Sequence, residues 1–149
     1  MKVRTRIRVL AVVLFLCGTL SFTQCKTQHL TKGITDKVWT FSQTHPEGFT
    51  LDIRTMTEPT EGICVAYAAT QNSHSREQLP QVISHALKHD GIVGGWLNTS
   101  DSLYYFDSDR IFPEDSLAAA LRFAIENGQL SVFILSTSTE ISVDSTLRR

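Results

Sequence analysis

Residues 91–107, GIVGGWLNTSDSLYYFD, constrain this chain more than any other stretch. An apolar run, a polar cluster and an aromatic run follow one another between two segments of helical period. Ile92 to Leu97 and Leu103 to Phe106 are rich in β-branched and aromatic residues, and Asn98-Thr99-Ser100-Asp101 is turn chemistry, so the stretch reads as a β-hairpin. A turn centred on Thr99-Ser100 pairs Trp96 with Leu103, Gly95 with Tyr104 and Gly94 with Tyr105. In that register a cross-strand tyrosine covers each glycine. The rival reading is that the glycines admit a ligand or another backbone.

The rest of the chain is read around this hairpin. Val38 to Gln43 is a short strand candidate, and Phe49 to Thr55 alternates, with Phe49, Leu51 and Ile53 on one face. Ile63 to Ala69 is a third, more apolar strand. Leu79, Val82, Ile83, Ala86 and Leu87 repeat at helical spacing, as do Leu117, Ala120, Leu121, Ala124 and Ile125. Pro80 places the first helix start between Arg76 and Leu79, while Ser75 with Gln78 resembles a capping box. Gly91 and Gly128 end the two helices. Leu130 to Leu135 reads as a buried strand, and the Ser/Thr-rich remainder frays after Ile141. The order β-β-β-α-β-β-α-β predicts an α+β fold: a mostly antiparallel mixed sheet of about six strands with two helices on one face.

The first 25 residues stand apart. Lys2, Arg4, Arg6 and Arg8 precede an apolar segment from Val9 to Phe22, the pattern of a secretory signal. Cys25 sits where a bacterial lipoprotein carries its lipid, although Phe22 and Gln24 depart from the aliphatic and small residues of that motif. Plain secretion and an uncleaved anchor are the alternatives. The expected organisation is a signal peptide over 1–25, a polar tether over 26–37, one domain over 38–141 and a tail over 142–149. Without the four leading cations, ten basic residues face fifteen acidic ones, a net charge of −5. That balance argues against nucleic acid and anionic membrane surfaces as partners. Cys64 lies in an apolar run and reads as a buried thiol, or as a partner for Cys25 if that residue is free.

GFTLDIRT, VGGW, YYFDSDRIF and ENGQLSVFIL together resemble a small uncharacterised domain of bacterial phage and mobile-element proteins. The resemblance covers Gly48 to Ile141. It implies a fold and transfers no catalytic residue. An export signal departs from a cytoplasmic phage context.

Three groups carry candidate chemistry. Gln71, Asn72, Ser73 and His74 form a polar loop that, with Trp96, is the candidate binding region; capping or solvating a turn is its bland reading. His74 with Asp107 or Asp109 is the candidate acid–base set, against which stands a solvated turn with a local pair between Asp109 and Arg110. His85 and His89, four apart on a helix, have metal-ligand spacing, but no His-Glu-x-x-His pattern accompanies them. No nucleophile elbow or phosphate loop is present, and no cofactor is expected. The leading expectation is an exported, lipid-anchored bacterial binding module, periplasmic or held at the outer membrane, for an unknown protein or small molecule. A small hydrolase or nuclease-like enzyme using His74 is the alternative, and an immunity-type toxin inhibitor is a third.

Overall fold

The computed structural model of the chain describes residues 31–144. A compact unit begins at Ile34. Its sheet has six strands: β1 (Gly48–Asp52), β2 (Ile63–Ala66), β3 (Ile92–Asn98), β4 (Leu103–Phe112), β5 (Ser131–Ile134) and β6 (Thr139–Ser142). Their spatial order is β1-β3-β4-β2-β5-β6, and every pairing is antiparallel. The fold is therefore α+β, as the patterning predicts. The helices are α1 (31–44), α2 (Leu79–Lys88) and α3 (Leu117–Glu126).

α1 replaces the strand expected over Val38 to Gln43, and its helical residues include 31–37 of the expected tether. Ile34, Val38 and Phe41 recur at i, i+4 and i+7 and pack on Phe49, Leu51 and Phe106, so tertiary burial selects the helix. α2 closes the same cluster with Leu79, Val82, Ile83 and Ala86. It starts at Leu79 with Pro80 in the first turn, and no side chain caps it. Gln78 instead accepts the His74 N–H at 2.7 Å. Arg54 donates to the free carbonyls of His89 and Asp90 at its other end, where Gly91 (φ +79°) leaves room for the guanidinium. Ala120 and Ala124 of α3 pack on Ile63, Val65 and Val132 in a second cluster.

Strand alternation sends these apolar residues to one face. On β4 the helix-facing set is Tyr104, Phe106, Ser108, Arg110 and Phe112, and the opposite set is Tyr105, Asp107, Asp109 and Ile111. The expected turn beyond Phe106 is therefore strand. β2 is shorter than expected and ends at Ala66, followed by a 3-10 turn at Ala68–Thr70. The predicted buried strand at Leu130 to Leu135 is half-wet, with Leu130 69% and Phe133 39% exposed. The Ser/Thr-rich remainder supplies β6, and Val143 beyond it is buried.

The central hairpin forms with a different register. Asn98 pairs with Leu103 around a four-residue loop. Asn98 Oδ1 accepts from Ser100, Asp101 Oδ1 accepts from Leu103, and these side-chain bonds fix the longer turn. Partners shift by two, so faces are kept but pairs change: Trp96 opposes Tyr105, Gly95 opposes Phe106 and Gly94 opposes Asp107. Gly95 is covered by the Phe49 ring of β1 rather than by a tyrosine. A methyl group there would collide with that buried ring. Gly95→Ala is expected to lower stability by about 1–3 kcal/mol, read from urea denaturation. An unchanged midpoint would mean that the Phe49 ring lies elsewhere.

Candidate functional site

Among the described elements, the three helices pack on one face of the sheet, and the other face carries a polar and aromatic group. Thr50 of β1, Gly94 of β3 and Asp107 of β4 lie in one row across it, and Cys64 of β2 neighbours Asp109 diagonally. In a flat sheet β1 and β2, with two strands between them, would stand about 14 Å apart. Yet Thr50 Oγ1 lies 4.0 Å from Cys64 Sγ. The sheet therefore curls around this face. Gly94 permits the curl, because its missing side chain leaves the space that the Asp109 carboxylate fills.

The two aspartates become interior groups. Asp107 is 9% and Asp109 5% exposed. Cys64 Sγ donates to Asp109 Oδ2 at 3.3 Å, and the Trp96 indole lies beside Asp107. Burial pushes Asp107 up to about 6, against the Trp96 hydrogen bond and the attraction of His74. Burial, with Asp107 beside it, pushes Asp109 well above the ordinary carboxylate range. Burial and the Asp109 charge push the Cys64 thiol up, which makes it a poor nucleophile. Cys64 is a free, buried cysteine, as its apolar run suggests; Cys25 lies outside the described residues.

Above the acids the face becomes aromatic. Trp96, 44% exposed, stacks on Tyr105 with centroids 5.0 Å apart and planes 21° from parallel. The His74 ring meets Tyr105 edge-on at 4.2 Å. The backbone puts it there: Tyr67 N–H donates to Ser108 O and Phe106 N–H to Ser73 O, so residues 67–73 run along β4 beyond the end of β2. Tyr105 O–H donates to Asp101 at 2.6 Å, and this bond holds Asp101 below the usual carboxylate range. His74 Nδ1 is buried and has no hydrogen-bond partner among the described residues.

The structure thus gathers His74, Trp96, Asp107 and Asp109 and leaves their loop neighbours out. Gln71 donates to Asn127 O, Ser73 is buried and donates to Thr70 O, and exposed Asn72 occupies a turn at φ +64°. Arg110 is on the opposite face, over Phe112 and Phe123, so the expected pair with Asp109 does not form. Tyr105, Asp101 and Cys64 are site neighbours that the sequence reading missed. The alternation in YYFDSD, with both acids in phase with Tyr105, was the available signal.

His85 and His89 belong to a different place. They lie on the helix-covered face, where His85 Nδ1 is 2.6 Å from Ser108 Oγ and both rings pack on Tyr67. Tyr67 O–H in turn donates to Asp90 at 2.6 Å. Burial lowers His85, favouring its neutral form. Among the described residues, no three histidine, cysteine or acidic side chains are grouped to hold a metal ion.

Asp107 gives the site a pH signature. The folded chain keeps its proton up to about pH 6, whereas the unfolded chain loses it near the ordinary value of 3.8. Between these values the folded state binds more protons, so this group makes stability fall as pH rises. Asp107→Asn keeps an acceptor for Trp96 and removes the ionisation. It should match wild type near pH 4 and exceed it by about 2–3 kcal/mol at pH 8 in urea denaturation. An equal difference at both pH values would contradict the assignment.

Comparison of the chain with protein-family models, with curated proteins and with solved structures finds no match.

Proposed function

We propose that the chain is an exported bacterial binding module, anchored through a lipid on Cys25, whose ligand lies on the aromatic row of the curled sheet face. The basic-then-apolar opening segment supports export, and the position of Cys25 supports the anchor. Both features lie outside the described residues, among which no helix is long and apolar enough to cross a membrane. One observation carries the reading of the site: Trp96 is exposed yet held flat by its stack on Tyr105, with Asp107 beside the indole. An indole held in this way offers apolar contact area with little side-chain entropy left to lose on binding.

Acid–base catalysis by His74 with Asp107 and Asp109 is the second reading. It is favoured by a carboxyl raised to about 6 beside an imidazole. Asp109 accepts from Cys64, the neighbouring thiol, which is itself pushed up and so supplies no ready nucleophile. Binding accounts for the exposed indole, which catalysis leaves unexplained.

The test joins the two parts of the proposal. Palmitate labelling of the wild type should vanish in Cys25→Ala. Phenylpropanol, a neutral aromatic probe, should quench the indole emission of the full chain and of Trp39→Phe, and should leave Trp96→Phe unquenched. Soluble release of unlabelled wild type would defeat the anchor. Equal quenching in Trp96→Phe and wild type would defeat the site.

A further inference from the structure

The charges around the aromatic row narrow the chemistry of its occupant. Tyr105 stands between the Trp96 indole and the His74 ring. Asp101 lies at its phenol end. Asp107 lies two residue pairs further along β4, on the same face and beside Trp96. Two carboxylates therefore bracket three rings. Neither forms an ion pair with a lysine or arginine among the described residues, where the pairs are His45–Glu58 and Arg76–Asp36. The arginine of the same strand, Arg110, points away to the helix-covered face.

The acceptor positions of Asp101 are already engaged. Asp101 Oδ2 accepts from Tyr105 at 2.6 Å and from Asn98 at 2.9 Å, and its Oδ1 accepts from the Leu103 N–H at 2.9 Å. Asp107 lies beside the Trp96 indole. The hydrogen bonds of Asp101 are spent within the protein, but the charge of both carboxylates still acts on whatever lies over the rings. The π-face of an aromatic ring also attracts positive charge, indole most strongly. A ligand recognised here is held by field and ring contact, without needing to donate an N–H.

We infer that the row formed by Trp96, Tyr105 and His74, flanked by Asp101 and Asp107, binds an organic cation: an alkylated ammonium head on an apolar body. This rests on the reading of the row as a ligand platform. An anionic ligand would meet two carboxylates. An uncharged ligand would use the rings and leave the charges idle.

The test is a titration of the purified full chain at pH 8, above the titration of Asp107, followed by Trp96 emission in the Trp39→Phe background. Phenylpropyl-trimethylammonium is compared with its uncharged isostere, in which a tert-butyl group replaces trimethylammonium. The cation should bind about tenfold more tightly. In an Asp101→Asn, Asp107→Asn double variant that preference, taken as the ratio of the two affinities, should fall below about threefold. Equal binding of both probes to the wild type overturns the cation inference and leaves the platform standing. Binding of neither overturns both. A double variant that keeps the full preference overturns the role given to the two carboxylates.

Discussion

The sheet curls because Gly94 has no side chain. The Asp109 carboxylate occupies the space a β-carbon would take, and Cys64 and Thr50 close on it from strands that a flat sheet would hold far apart. Much of the candidate site follows from this one contact. Asp109 goes inside, Asp107 goes inside beside it, and Trp96 lies beside Asp107 and stacks on Tyr105. Asp109 can be buried in this way because burial pushes it well above the ordinary range and favours the uncharged acid, which is far less costly to desolvate than the anion, whereas Asp107, raised to about 6, is ionised above that pH.

The opposite face does the ordinary work of stability. Two apolar clusters lie under the helices, one beneath α1 and α2 and one beneath α3. Ser108, Tyr67, His85 and His89 form a further, polar group on this helix-covered face, joined by ring contacts and by the short approach of His85 to Ser108. A helical pair of histidines with metal-ligand spacing thus packs on Tyr67 and Ser108. The acids, read as a solvated turn, belong to a strand interior. In both cases the neighbour that decides the role comes from a different element, and local sequence does not name it.

Periodicity made the sheet, α2 and α3 legible, because amphipathic spacing in those segments is strong and locally consistent. It failed where polar residues carry part of the buried face. In α1 the buried set includes Thr35 and Ser42, so residues 38–43 looked like a strand. In β6 a Ser/Thr-rich segment pairs with β5, although its composition suggests a loose end. The hairpin register missed by two because Asn98 and Asp101 organise a four-residue loop through their own side chains. Of the site, His74, Asp107 and Trp96 were visible as residue types. Their convergence was not, since it depends on the 67–73 connection lying along β4 and on the curl at Gly94.

The most direct test of the curl is a titration of the side-chain carboxyl carbons by nuclear magnetic resonance, with Asp107 and Asp109 assigned by substitution. The structure predicts that both carboxyls titrate above the ordinary range, Asp107 near pH 6, and that Gly94→Ala disturbs Asp109. If both lost their protons near pH 4, as carboxyls in water do, the face would be open and flat, and the site built on it would not exist.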